Sequence, residues 1–137
     1  MSSPLDLITQ HYANLDRRDL DASEPLFAED VETVTPQGTL KGRDEFKQMG
    51  AAFLAAFTDT HHTVSRSYAD GDTAIVEAVF SGRHTGPMAT PDGAIPPTGN
   101  TVSFAFADFA QVHDGVCTSH RVYWDNVALM AQMGALQ

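Results

Sequence analysis

The sequence predicts an α+β fold in which three N-terminal helices precede a meander of long antiparallel strands and a short C-terminal helix. In the first half of the chain, apolar residues recur at three- and four-residue steps, and from Thr60 onward the period becomes two. Asp-Gly pairs at 70–71 and 114–115 are typical of tight hairpin turns. Helices followed by strands form the α+β pattern. A length of 137 residues suits one domain, so we assign residues 1–137 to a single domain.

Three helices are predicted before residue 58. The first carries one apolar stripe, made of Leu5, Ile8, Tyr12 and Leu15. A second, short helix is predicted over 21–28, with Pro25 accepted because it falls in the first turn. The third follows Gly42 and presents a wide apolar face, made of Phe46, Met49, Phe53, Leu54 and Phe57.

The strands follow from alternation and from turn residues. Residues 31–35 predict a short strand that Pro36 interrupts, and 62–68 with 73–84 predict a hairpin whose second strand has an apolar row ending at His84. Residues 85–99 hold four of the seven prolines and are predicted to be a loop. Residues 101–112 and 116–124 predict the last hairpin. Such a curved sheet around helices forms a cone, whose open end would hold a pocket.

Composition narrows the possible partners and compartment. A net charge of -10 disfavours nucleic acid and anionic membrane surfaces as partners. No segment approaches the roughly 20 apolar residues of a membrane helix, and the N-terminus lacks the features of a signal peptide, so we expect a cytoplasmic protein. The lone Cys117 excludes an internal disulfide and is interpreted as a small strand residue rather than a nucleophile.

The segment from His120 to Asp125 contains the first candidate catalytic residues. A carboxylate in an apolar pocket suits a group that takes a proton from carbon, which makes Asp125 a candidate acid/base. Asp125 also directly precedes the last helix and is equally well placed as its N-cap. Strand alternation groups His120 with Val122 and Trp124, so His120 and Asp125 share one pocket only if a bulge or the strand end turns Asp125 inward. His120 is a candidate catalytic partner or a structural histidine.

Other residues are candidates for binding a substrate. His84 would project toward the same cavity, or would anchor the following loop. Tyr12 could present its hydroxyl group to the pocket, although core packing also explains it. The predicted apolar wall consists of Trp124, Phe46, Met49 and Phe53, which are alternatively plain core residues. The adjacent His61 and His62 face opposite ways in a strand, and no further ligand completes a site, so we predict no metal centre.

Several motifs occur in an order and spacing that resembles the SnoaL-like polyketide cyclase family, a member of the nuclear transport factor two superfamily of α+β cones. They are Phe57-Thr58-Asp59, Asp70-Gly71-Asp72, the segment Ser81 to Gly86, Pro96-Pro97-Thr98-Gly99 and the segment from His120 through Gly134. The resemblance implies an intramolecular aldol ring closure that uses an acidic side chain and no metal or organic cofactor. Residues 88–94 are a few residues longer than the usual link, which bears on substrate identity.

Three classes of function are therefore open. The first is a cofactor-independent cyclase or isomerase acting on an apolar, carbonyl-bearing small molecule, with Asp125 as acid/base and His120 or His84 as its helper; dehydration, a lyase reaction, and epoxide hydrolysis are alternative chemistries on the same fold. The second is a non-catalytic protein that binds a small hydrophobic ligand. The third treats the outer sheet face as an assembly surface, and long strands with apolar residues on both faces favour a homodimer.

Overall fold

The computed structural model describes residues 3–90 and 92–135. The helices are α1 (Pro4–Asp16), α2 (Leu20–Ser23), α3 (Arg43–Ala56) and α4 (Asn126–Gln132), with a 3₁₀ turn over Glu24–Leu26. The strands are β1 (Phe27–Thr35), β2 (Gly38–Lys41), β3 (Phe57–Asp70), β4 (Thr73–His84), β5 (Met88–Thr90), β6 (Gly93–Ile95), β7 (Thr101–His113) and β8 (Val116–Trp124). No helix in these ranges is both long and apolar enough to cross a membrane.

Six of the strands form one curved sheet in the order β2-β1-β8-β7-β4-β3. The hairpins β3–β4 and β7–β8 are antiparallel, as the turn residues predict, and β1 and β2 also pair antiparallel. The exception to the predicted antiparallel sheet is the pairing of β1 with β8, which is parallel. No hairpin dictates the direction of this pair, because the two strands are far apart in sequence. The sheet is therefore mixed, and the predicted α+β cone is confirmed.

Alternation along the long strands decides which side chains face the helices. On β4 the buried row is the predicted one, Ala74, Val76, Ala78, Phe80, Gly82 and His84. On β7 the buried row is Val102, Phe104, Phe106, Asp108, Ala110 and Val112. Burying these apolar rows against α1 and α3 is the main stabilising term of the fold. Asp108 is the one charged residue in the two rows.

Helix α1 has strong local start signals. Ser3 caps it by accepting a hydrogen bond from the Asp6 N–H, the Asp6 carboxylate accepts one from the Ser3 N–H, and Pro4 occupies the first turn. Its buried face includes Ile8, His11 and Tyr12. The helix therefore brings two polar aromatic side chains to the centre of the cone.

The predicted second helix over 21–28 is wrong in extent. Asp19 caps a single α-helical turn by accepting from the Ala22 N–H, and the 3₁₀ turn with Pro25 follows. Phe27 and Ala28 already belong to β1, since Phe27 pairs with Cys117 of β8. Tertiary pairing therefore overrides the local helical pattern here.

Short strands occur in one region that the sequence pattern leaves unassigned and in another that is predicted to be a loop. Strand β2 pairs with the end of β1, and β5 pairs with β6 inside the segment predicted to be a loop. The segment 85–99, which contains β5 and β6, is anchored near its start, where the N–H groups of Thr85 and Gly86 both donate to the Ala56 carbonyl oxygen at 3.0 Å. A Cβ atom at Gly86 would lie 2.0 Å from the Ala55 carbonyl oxygen, so the approach of the two backbones requires glycine.

Candidate active site

A cavity of about 130 Å³ lies between the inner face of the sheet and the helices. This is close to the roughly 150 Å³ of an apolar cavity that holds a benzene molecule. Its floor is formed by residues of β4, β7 and β8, and α2, the 3₁₀ turn and α3 contribute half-buried lining residues, among them Leu20, Glu24, Lys47, Gly50 and Leu54. The enclosed space therefore fits one ring, and a larger ligand would extend through the opening.

Asp108 lies on the floor of this cavity with only 2% of its surface exposed. The Tyr12 hydroxyl donates to Asp108 Oδ2 at 2.7 Å, and His120 Nδ1 lies 3.3 Å from Oδ1. His120 is equally buried, and its Nε2 lies 2.8 Å from Thr33 Oγ1. Both ring nitrogens of His120 therefore have partners, and its Nδ1–H orients the carboxylate.

Sheet register explains this cluster. Asp108 pairs with Val122 and Ala110 with His120 across β7 and β8, so both polar side chains project inward two residues apart along the sheet. Thr33 is the direct partner of His120 in the parallel pair of β1 and β8. The Thr33–His120 hydrogen bond is therefore a cross-strand contact that the register itself produces.

A second histidine, His62, contacts the cavity from β3. Its Nδ1 lies 2.6 Å from Asp16 Oδ1, and its backbone N–H donates to Asp16 Oδ2 at 3.0 Å. The ring stacks on Tyr12 with 5.4 Å between centroids and an interplanar angle of 7°. Asp16 therefore holds the backbone and the ring of His62 together.

A third histidine, His11, contacts the cavity from α1. Its Nδ1 lies 2.8 Å from Ser23 Oγ, to which Asn14 Nδ2 also donates at 3.1 Å. The ring packs within 4.8 Å of the Phe27 centroid and 5.4 Å of the Phe46 centroid. His11 is thus held by polar contacts on one side and aromatic contacts on the other.

Burial sets the protonation of the groups around the cavity. Desolvation, reinforced by the nearby Asp108 carboxylate, raises the pKa of Tyr12 well above its usual value, so its hydroxyl stays protonated. Desolvation, together with His120, lowers the pKa of His11 to about 3. Desolvation also lowers the pKa of His62, although Asp16 opposes the shift. At neutral pH Tyr12, His11 and His62 are therefore all uncharged.

Most residues predicted from the sequence to contact the pocket do so. Tyr12, Phe46, Met49, Phe53, His120 and Trp124 all contact the cavity. The predicted grouping of His120 with Val122 and Trp124 is also confirmed, since all three contact it. Cys117 is fully buried, as expected of a small strand residue, and burial raises the pKa of its thiol to about 12.

The prediction that His84 faces the cavity is wrong. His84 is fully buried at the end of β4, where its ring packs 5.6 Å from that of Phe57 and its Nδ1 lies 2.9 Å from Thr98 Oγ1. Its backbone also bonds to the segment that returns to β7. These contacts agree with the alternative interpretation, in which His84 anchors the loop that follows it.

The structure also corrects the placement of Asp125. Its side chain is exposed and accepts the Ala128 N–H at 3.0 Å, which makes it the N-cap of α4. It follows Trp124, which faces inward, so alternation turns it outward, and it does not contact the cavity. A role for Asp125 as acid/base in this cavity therefore has no geometric support.

The carboxylate that sequence reasoning missed is Asp108. Its signal was present as one acidic residue on an otherwise apolar inward row of β7. The roles of His11 and His62 depend on Ser23 and Asp16, which come from other elements. His61 is exposed, and no cluster of three metal-ligating side chains occurs among residues 3–90 and 92–135.

Comparisons with known proteins agree with this fold. The family described as SnoaL-like polyketide cyclase matches residues 6–133. IdmH from Streptomyces antibioticus, named as a candidate polyketide cyclase, is 26% identical with a TM-score of 0.81, over 97% of this chain and 99% of its own. A hypothetical protein from Catenulispora acidiphila with a ketosteroid isomerase-like fold is 25% identical with a TM-score of 0.78, over 98% of this chain and 96% of its own.

A third solved structure shares the fold at lower identity. It is a candidate SnoaL-like polyketide cyclase from Jannaschia, 17% identical with a TM-score of 0.85, over 98% of this chain and 93% of its own. No match is found among curated proteins.

Proposed function

Because the chain belongs to the SnoaL-like polyketide cyclase family, we propose that it is a cofactor-independent enzyme of the cyclase or isomerase kind. It acts by acid/base catalysis on an apolar small molecule that carries a carbonyl group. The observation that supports this proposal is Asp108, a buried carboxylate on a largely apolar cavity wall that is also hydrogen-bonded to a protonated tyrosine. Asp108 replaces Asp125 as the candidate acid/base.

The proposed reaction begins with proton transfer from carbon. The Asp108 carboxylate takes a proton from the carbon next to the carbonyl group, and the electron pair of the C–H bond forms an enolate. In a ring closure, the enolate carbon attacks a second carbonyl carbon of the same molecule, and the resulting alkoxide receives the proton back from Asp108. In an isomerisation, the proton returns to a different carbon. A general base of this kind contributes a rate factor of about 10²–10⁴.

Tyr12 and His120 have different tasks in this proposal. Tyr12 stays protonated and donates its one hydroxyl proton to Asp108 at 2.7 Å in the free protein. When Asp108 takes the substrate proton, the Tyr12 hydroxyl is released to donate to the substrate oxygen, where negative charge develops. His120 has both ring nitrogens occupied, by Asp108 and Thr33. We therefore assign it as a positioning residue that fixes the direction of the Asp108 carboxylate.

The proposal is tested by exchange of the methyl protons of acetophenone for deuterium in buffered D₂O, followed by NMR. Acetophenone has one ring, which fits the cavity, and its methyl group lies next to the carbonyl. The wild-type protein is expected to accelerate exchange over buffer. Asp108→Asn is expected to reduce the acceleration by about 100-fold or more, because the amide cannot accept the proton.

Asp125→Asn is the matched control, since it makes the same chemical change outside the cavity and asparagine also caps helices well. This variant is expected to accelerate exchange of the acetophenone methyl protons as much as the wild-type protein does. Equal exchange by wild type and Asp108→Asn would overturn Asp108 as the base. If the wild-type protein binds acetophenone without accelerating exchange, the non-catalytic binding protein is the better description.

A further inference from the structure

The hydrogen bonds behind His11 fix which of its nitrogens carries the proton. Gln10 Nε2 and Arg17 Nη2 both donate to the Asn14 side-chain oxygen, at 2.8 and 2.6 Å, so the Asn14 amide nitrogen must face Ser23. Asn14 donates to Ser23 Oγ, and among the described residues the one acceptor within hydrogen-bond distance of the Ser23 hydroxyl is His11 Nδ1 at 2.8 Å, so the hydroxyl proton is assigned to that contact. His11 Nδ1 is then the acceptor, and the proton of the neutral ring is on Nε2.

His62 has the opposite arrangement. Asp16 accepts at both oxygens, from the His62 backbone N–H and from its ring Nδ1, so Nδ1 carries the proton. In the neutral ring Nε2 is then an acceptor. Within the described residues, neither His11 Nε2 nor His62 Nε2 has a hydrogen-bond partner, and neither is among the fully enclosed unpartnered atoms.

The two rings flank the same part of the cavity. Their centroids lie 5.7 and 5.4 Å from that of Tyr12, whose hydroxyl bonds to Asp108. One ring offers a donor and the other an acceptor in otherwise aromatic surroundings. Groups placed in this way discriminate strongly, because a ligand that lacks the matching group leaves a buried polar atom unpaired.

We propose that His11 and His62 select an aromatic or enolised ligand that carries both a carbonyl oxygen and a hydroxyl group. The carbonyl oxygen accepts from His11 Nε2–H, and the hydroxyl donates to His62 Nε2. This inference rests on the proposed function in one respect, that the ligand occupies the cavity with Asp108. It adds to that function a substrate class, a hydroxy-ketone or the enol of a dicarbonyl compound.

The first test is the tautomer of each ring in the intact protein, measured from ¹⁵N chemical shifts of labelled histidine at pH 7. His11 is expected as the Nε2–H form and His62 as the Nδ1–H form. Ser23→Ala removes the donor to His11 Nδ1 and is expected to populate the other His11 tautomer. The opposite wild-type assignment for either ring overturns the proposal without any variant.

The second test measures binding of 3- and 4-hydroxyacetophenone by calorimetry. Each is compared with the ethylphenol that lacks its carbonyl group and with the methoxyacetophenone that lacks its hydroxyl proton. Wild type is expected to prefer the better hydroxyacetophenone isomer by about ten-fold over either analogue, as expected from one hydrogen bond. His11→Phe is expected to abolish the preference over the ethylphenol alone, and His62→Phe the preference over the methoxyacetophenone alone.

His61→Phe is the control, because His61 is the exposed neighbour on the same strand, and it is expected to keep both preferences. Preferences that survive in His11→Phe and His62→Phe overturn the proposal, and so does a wild-type protein that binds neither hydroxyacetophenone. The result is independent of Asp108 as a base: if Asp108→Asn keeps wild-type exchange while the preferences hold, only the proposed reaction fails.

Discussion

Mild acid is expected to destabilise this protein through His11. The ring is 5% exposed, and the groups that act on it through the cavity are His120, Asp108 and His62. Burial lowers its pKa to about 3, whereas in the unfolded chain histidine titrates near its usual pKa of 6.5. Between these values the unfolded state binds a proton that the native state does not. The stabilisation is therefore present above pH 6.5 and is lost progressively as the pH falls toward 3.

The magnitude follows from the two pKa values. Well below pH 6.5 the loss of stability approaches about 1.4 kcal/mol for each pH unit, because the unfolded state then binds one proton more than the native state. Integrated from pH 7 to pH 5, His11 alone accounts for a loss of roughly 2 kcal/mol. His62 and His84 shift in the same direction, so the wild-type loss also contains their contributions.

The contribution of His11 is isolated by comparison with His11→Gln. The free energy of unfolding is measured by urea titration at pH 7, 6 and 5 for both proteins. The variant is expected to be less stable at pH 7 because of lost packing, but to lose about 2 kcal/mol less than wild type between pH 7 and 5. Parallel pH dependences of the two proteins would show that His11 titrates normally in the folded state and would refute the argument.

Three further predictions concern other parts of the molecule. Asp125→Ala is expected to cost about 1 kcal/mol, or roughly 3 °C in Tm by thermal melting, while Asp125→Asn costs little; equal losses would contradict the N-cap assignment. Gly86→Ala is expected to cost about 3 kcal/mol or more by urea titration, because the new methyl group meets the Ala55 carbonyl oxygen; near-wild-type stability would contradict the required glycine. Cys117 is expected to resist iodoacetamide at pH 8 until urea is added, because it is buried and its thiol pKa is raised to about 12; rapid alkylation of the native protein would contradict this burial.

The parts of the fold that the sequence predicts well are those with local causes. Strands β4 (Thr73–His84) and β8 (Val116–Trp124) each show a two-residue period next to an Asp-Gly turn. The sequence alone therefore predicts which of their side chains face inward. The same alternation correctly separated His120 from Asp125. Strand β2 could not be predicted in this way, because Gly38–Lys41 is too short to show a period and forms only by pairing with β1.

The candidate site was only partly predictable, because its polar groups depend on partners far away in sequence. Tyr12 and Asp108 are 96 residues apart, and Asp16 and His62 are 46 apart. The sequence favours Asp125 as the acid/base candidate because it directly follows the aromatic residues of the last strand. In the structure it instead caps the N-terminus of α4. Asp108 could have been found by asking which inward position of an apolar row is charged.

The parallel pairing of β1 with β8 has a consequence for how the protein is made. Strand β8 leaves the ribosome after all the other strands, yet it separates β1 from β7 in the sheet and supplies His120, which bonds to Thr33 across 87 residues. Contacts of such long range form slowly. A nascent chain that ends before Val116 can pair β3, β4 and β7, but it has no strand that joins β7 to β1, so the edge of β7 is unpaired and the cavity lacks His120, Val122 and Trp124. The cavity is therefore completed in the same step that completes the fold, and until then an unpaired strand edge and exposed apolar side chains favour aggregation of the nascent chain.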